Sequence, residues 1–225
     1  MRKFIVVFSF FIPVLLFAQK NIILIDDIKM ALKDARYAQA TIMFSQLIDK
    51  DIEQSERLYW ESKFYIGEVS SELAYRLAVK YESNMVYNKA FFYYKEALYA
   101  KPNRVDCMLP MANIYLRYGE EDKAVKLCEK IAEKDENNTE ANIILGNYFF
   151  FKGEVEKLKA TKEYNSITKP TRMQYARYRD RLNEIFATLF DKARTHLDKV
   201  MKQFPSTEAK KTLEKIELIE KEIKG

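Results

Sequence analysis

The chain has 225 residues, 48% of them hydrophobic and 32% charged, with a formal net charge of +5; it can build a core and has the size of one domain or one repeat array. Five glycines and five prolines are too few for the tight connections of sandwiches, barrels or βαβ folds, which leaves long helices. A single histidine confines Ser-His-Asp or Cys-His catalysis to one position and removes multi-His metal sites.

In chain order, Met1-Arg2-Lys3 is a short positive start, and Phe4 to Phe17 follows without a charge. Ala18 then stands as the −1 residue of a cleavage site, so residues 1–18 read as a secretory signal peptide. The apolar run is shorter than the roughly 20 residues a spanning helix needs, and Pro13 interrupts it. The ending Phe17-Ala18-Gln19 resembles signal peptides of Bacteroidetes envelope proteins. The expected location is the periplasm or cell envelope of a Gram-negative bacterium, with an N-terminal anchor in the inner membrane as the alternative. Removing residues 1–18 takes away Arg2 and Lys3 and leaves a nearly balanced chain, so charge makes no case for nucleic acid or a membrane surface.

Beyond the signal segment, Ala40, Phe44 and Leu47 share a helix face. Residues 54–81 contain no breaker except Gly67, and the apolar spacing predicts one long helix there. A period of 34 then appears. Ala78 and Tyr81 recur as Ala112 and Tyr115, then as Gly146 and Phe149. A turn position recurs at Met85, Gly119 and Gly153. Ala90, Tyr94 and Ala97 recur as Ala124, Cys128 and Ile131, and Pro102 returns two periods on as Pro170. The units are 71–104, 105–138 and 139–172, the last with a degenerate second half at Leu158, Lys162 and Asn165. A fourth, 174–207, ends one residue out of register at Ala193, Leu197, Val200 and Pro205.

This pattern resembles the tetratricopeptide repeat, a 34-residue helix–turn–helix unit. The resemblance implies an all-α superhelical solenoid of helical hairpins over residues 19–207. Stacking would bury faces that one pair cannot cover. Residues 208–225 close the array as a C-terminal capping helix, with Ser206 as candidate N-cap and a narrow stripe of Ala209, Leu213, Ile216 and Ile223.

The resemblance also places a concave groove on the first helix of each unit. Its candidate partner-binding residues are Tyr75, Leu109, Asn113, Leu116, Arg117, Ile143, Asn147, Phe150 and Phe151. Asn113 and Asn147 hold the same position in successive units and could grip an extended peptide backbone with donor and acceptor. The basic residues of the family's carboxylate clamp are replaced by Asp106, Leu109 and Pro110, then by Glu140, Ile143 and Ile144. A second candidate surface interleaves Arg172, Arg177, Arg179 and Arg181 with Tyr175 and Tyr178, a pattern suited to an acidic protein partner. Its structural counterpart is a solvated helix whose Arg stems cover apolar surface.

His196, in a predicted helix from Ile185 to Phe204, reads as a surface or helix-flank residue. Cys107 and Cys128 read as buried free thiols, and Asn137-Asn138-Thr139 as a polar inter-repeat loop. No phosphate-binding glycine loop or C-x-x-C occurs. The expected function is therefore a non-enzymatic interaction module of the envelope, with a protein or peptide in the groove. It carries no catalytic residue, metal, cofactor, nucleic acid or small-molecule substrate. The alternative is a structural subunit of an envelope secretion or uptake machine, its groove filled by residues 20–54 and its partners held by the Arg172–Arg181 helix.

Overall fold

The computed structural model describes residues 21–63, 67 and 69–224; the signal segment 1–18 lies outside them. Two compact units divide the chain, Met1–Cys107 and Met108–Gly225. The described residues hold helices and turns, without strands.

In the first unit, α1 (21–33) is followed by α2 (Tyr37–Lys50), α3 (Ile52–Ser62), α4 (Val69–Ser83) and α5 (Tyr87–Ala100). Helix α6 (Val105–Arg117) runs across the unit boundary. The α1–α2 and α4–α5 connections use one turn. Ala35 and Met85 take φ of 55° and 59°. The next amide, on Arg36 and Val86, returns to the carbonyl of Ala31 and Tyr81, 2.8 Å away in each case. This is the left-handed C-terminal stop of a helix, which frees the chain to reverse. Helices α4 and α5 pack side by side, with Leu77, Ala78, Ala90 and Ala97 all fully buried. Small side chains at these positions let the helix axes approach.

The expected single helix over 54–81 is two helices. Asp51 caps α3 by accepting from the Gln54 amide at 2.9 Å. The helix ends at Ser62, and Gly67 takes φ of +52° before α4 begins. That left-handed backbone cannot be part of an α-helix, so the apolar periodicity on either side belongs to separate elements.

The second unit receives the rest of α6, whose turn to α7 (Glu121–Lys134) repeats the same device at Gly119, with φ of +72°. The Glu120 amide bonds the Tyr115 carbonyl at 2.9 Å. Helix α8 (Thr139–Asn165) is capped by Asn138, which accepts from the Ala141 amide. It runs 27 residues without a turn. The hairpin expected over 139–172 is thus absent, and Gly153 is an interior helix residue. The residues after it, Glu154 to Tyr164, are mostly strong helix formers with nothing to stop them.

The hairpin expected over 174–207 is absent too. A capping box at Thr171 and Gln174 opens α9 (Arg172–Ile185), which passes through a π-helical turn at Phe186–Phe190 into α10 (Asp191–Gln203). Helix α8 packs against α9, the π turn and α10 in succession. The first half of the expected third unit and the second half of the fourth therefore make one hairpin, lengthened by the residues between them. Gly146 shows the pairing: a Cβ there would fall 2.7 Å from the Leu197 side chain.

Helix α11 (Thr207–Lys224) packs on α10, with further contacts to α8 and α9. Ser206 caps it, accepting from the Ala209 amide. Ala209, Ile216, Ile219 and Ile223 are its buried side. Ile219 joins the stripe read from the sequence, and Leu213 is only half-buried.

Candidate functional site

An open concavity of the second unit lies over the N-terminal half of α8. It encloses about 740 Å³. Its floor is two parallel rows of one helix, each at i, i+4 spacing: Ile143, Asn147, Phe151 and Val155, and beside them Ile144, Tyr148, Lys152 and Glu156. Leu116 at the end of α6 and Glu121 and Asp122 at the start of α7 form the opposite wall. Phe151 is 64% and Val155 63% exposed. Leu158, also exposed, continues their row.

The polar groups of the rim are ordered by one relay. Lys152 Nζ donates to the Tyr148 hydroxyl at 2.8 Å, and that hydroxyl donates to Asp122 Oδ1 at 2.7 Å. The hydrogen bond to Tyr148 raises the Lys152 pKa above its ordinary value, against a smaller opposing effect of desolvation. The wall is thus tied to the floor, and the surface between them is mainly apolar.

Leu116, Ile143, Asn147 and Phe151, expected from the sequence, meet in this groove. The other expected groove residues do not. Phe150 is 4% exposed and sets its ring against Phe190 at 6.0 Å and 67°, so it belongs to the core. Asn113 is half-buried and donates to Glu140 Oε1 at 2.7 Å, so its amide is already engaged. Leu109 is half-buried and Arg117 exposed, and neither lines the groove. Tyr75 belongs to the first unit, where the Arg104 guanidinium lies over its ring at 4.4 Å. Arg104 is held in turn by Asp106, Glu72 and the Ser71 carbonyl. Sequence reasoning missed Ile144, Tyr148, Lys152 and Val155. Each lies four residues from another lining residue on α8; for Val155 that signal is visible only once the helix is known to continue past Gly153.

The basic and aromatic residues of α9 divide into two sets. Tyr178 stacks on Tyr164 of α8 at 4.5 Å and 9°, and its hydroxyl meets Thr161 at 3.1 Å. Arg179 donates to the terminal carbonyls of Glu222 and Ile223, neutralising the negative end of α11. Arg181 pairs with Glu163 and Glu156. Arg172, Tyr175 and Arg177 are exposed.

Three further residues were candidates for chemistry. His196 stands on the flank of α10 that faces α8. It is half-buried, stacks on Phe149 at 6.0 Å and 10°, and shares a 2.7 Å hydrogen bond between Nδ1 and Asn142 Oδ1. Asn142 is fully buried, and its Nδ2 donates to the carbonyls of Glu136 and Asn138. Its oxygen must therefore accept, which makes His196 Nδ1 the donor. Burial, with Lys199 and Lys192 nearby, pushes the His196 pKa down to about 4. Cys107 and Cys128 are both free and buried, and burial pushes both thiols up to about 12, which suppresses the reactive thiolate. Among the described residues, no group of His, Cys, Asp and Glu is arranged to hold a metal ion. No helix among them is long and apolar enough to cross a membrane.

Repeated left-handed turns, small residues at helix contacts and an open groove on one helix row define an all-α repeat scaffold of helical hairpins. The tetratricopeptide-repeat profile matches residues 87–147. A Bacteroides ovatus protein of known crystal structure, provisionally described as protein-binding, is 42% identical over 90% of this chain and 98% of its own, with a TM-score of 0.73. Residues 87–147 of the chain belong to the tetratricopeptide-repeat family. A mutant of MamA (15% identity, 90% of this chain and 98% of that one, TM-score 0.38) is also similar. So is YrrB, described as a tetratricopeptide-repeat protein with an unusual peptide-binding site (16%, 85% and 90%, 0.37). Both likenesses are too slight to speak for function. No curated protein matches the chain.

Proposed function

We propose that the chain is a non-enzymatic interaction module that works in the bacterial envelope and receives an apolar segment of a partner protein in the α8 groove. The observation that carries this reading is the bare ridge of Phe151 and Val155, which forms one continuous surface with Ile143 and Leu116. Two adjacent apolar side chains held in water on a rigid helix cost free energy that a partner recovers, and exposed patches of this kind mark interaction sites. Asn147 supplies an amide beside the ridge that can pair with the partner's backbone. Glu121 on the wall forms no ion pair with a described residue, so a partner with a basic residue next to its apolar anchor fits the rim. The protein-binding description of the Bacteroides relative agrees with this reading. Location in the envelope rests on the charge-free run Phe4–Phe17 and the Ala18–Gln19 junction.

The test is a photo-crosslinking amino acid at position 151 in the native host, with position 126 on the α7 surface as control. A discrete adduct at 151, absent at 126 and lost with Val155→Ala, is expected. No adduct at 151, or the same adducts at both positions, overturns the groove reading. For the location, periplasmic protein beginning at Gln19 is expected; intact Met1 in a membrane fraction would establish the anchor instead.

A further inference from the structure

The long hairpin of the second unit carries a concentration of charge that the fold leaves unused. Its outer end, residues 159–177, holds five basic side chains, Lys159, Lys162, Lys169, Arg172 and Arg177, and one acidic one, Glu163. Glu163 is taken by Arg181. All five cations are exposed, and none forms an ion pair with a described residue, although their neighbours Arg179 and Arg181 are both engaged. Exposed apolar surface accompanies them: Met173 is 66% and Tyr175 48% exposed. A small hollow of about 240 Å³ opens between Tyr164, Ile167 and Tyr178, with Arg177 at its edge.

We propose that this outer end is a second docking surface, taking an acidic segment of a partner protein that carries an apolar side chain beside its carboxylates. Charge complementarity argues for the acid: like charges gathered without counterions repel one another, and a polyanion relieves this. The two free arginines offer planar forks matched to carboxylates. The hollow argues for a peptide, since it accommodates one side chain next to the Arg177 guanidinium. Single-stranded nucleic acid would need open aromatic faces for its bases. Here Tyr164 and Tyr178 are stacked on each other, which leaves Tyr175 as the exposed ring of the three. The site is separate from the α8 groove and does not depend on that groove's being occupied.

The test titrates the full chain with a fluorescent Glu-rich peptide containing one Phe. Parallel titrations use oligothymidylate and vesicles of phosphatidylcholine with phosphatidylglycerol. Saturable peptide binding that weakens with salt is expected. Arg172→Glu and Arg177→Glu should each lower affinity roughly 2- to 5-fold, as for exposed charge pairs. Neither side chain pairs with a described residue, and a glutamate at the first residue of α9 suits the helix dipole, so the melting temperature serves as the folding control. Lys162→Glu with Lys169→Glu, within the same cluster, should weaken binding as well. Lys126→Glu with Lys130→Glu, exposed on α7, should leave it unchanged. Absence of saturable peptide binding, equal loss in the α7 variant, or tighter binding of oligonucleotide or vesicles with the same sensitivity to the arginine changes would each overturn the proposal.

Discussion

Gly153 lies against the ring of Phe190: a Cβ on the glycine would stand 2.9 Å from two of its ring carbons. Phe190 is fully buried, and its ring has Phe150 at 6.0 Å and Phe186 at 5.9 Å, so it has little room to withdraw. The glycine that falls in step with the turn positions 85 and 119 therefore serves a close helix contact, and the chain runs on as helix.

Gly153→Ala places two effects in opposition. Alanine in a helix interior gains about 0.5–1 kcal/mol over glycine. Overpacking a filled core typically costs about 1–3 kcal/mol. The contact distance is below any real Cβ contact, so the second effect prevails and a net loss of about 1–2 kcal/mol is expected in thermal or denaturant unfolding. A stabilised Gly153→Ala would show that Phe190 yields freely.

That glycine also explains how far the sequence could be read. The turns at Met85 and Gly119 were legible because a left-handed residue ends a helix by local geometry, one period apart. Gly153 carries the same letter for a long-range reason, contact with a ring 37 residues away, and periodicity cannot distinguish the two. The groove inherits the error. Leu116, Ile143, Asn147 and Phe151 hold groove positions of the repeat register before position 153, whereas Ile144, Tyr148 and Lys152 also precede it but stand on the neighbouring row of α8, which that register does not assign to the groove. Val155 and Glu156 join the floor only because α8 does not turn. The partner of His196 was not legible for a similar reason: Asn142 lies 54 residues away on the facing helix.

The groove's boundary can be tested on two adjacent residues. Phe150→Ala removes a ring packed against Phe190, and truncating a buried phenylalanine costs about 3–5 kcal/mol. Phe151→Ala removes a ring that is mostly in water, so stability should move by no more than about 0.5 kcal/mol. Urea melts of the two variants should differ accordingly. Equal destabilisation would put Phe151 in the core and remove the ridge on which the groove reading rests.

His196 predicts a pH dependence of stability. Its folded pKa lies near 4 against an ordinary 6.5, so the unfolded chain binds the proton more tightly. The stabilising contribution is complete above about pH 6.5 and is lost as pH falls towards 4. The ring is only half-buried, so the loss is expected to be about 1–3 kcal/mol. The Nδ1 bond to Asn142 survives protonation, since that nitrogen donates in both forms, and desolvation is the leading cause of the shift. His196→Gln should therefore flatten the part of the stability curve between pH 6.5 and 5, as read by chemical denaturation at each pH. An unchanged slope would mean that other groups set it.

The recurring turn yields a pair of opposite substitutions one period apart. Met85 holds φ of 59° with its side chain exposed, and Gly119 holds φ of 72° with no atom near its missing Cβ. A non-glycine residue in this left-handed region carries a strain of about 1–2 kcal/mol. Met85→Gly relieves that strain and loses little packing, but a glycine also gives the unfolded chain more freedom, which takes back about 0.4–1 kcal/mol. A net gain of about 0.5–1 kcal/mol is expected. Gly119→Ala introduces the strain without a clash, and a net loss of about 0.5–1 kcal/mol is expected. Thermal melts of the two single variants decide it. Opposite signs follow if both turns are the same device, whereas destabilisation by Met85→Gly would mean that the methionine side chain makes contacts worth more than the backbone strain it carries.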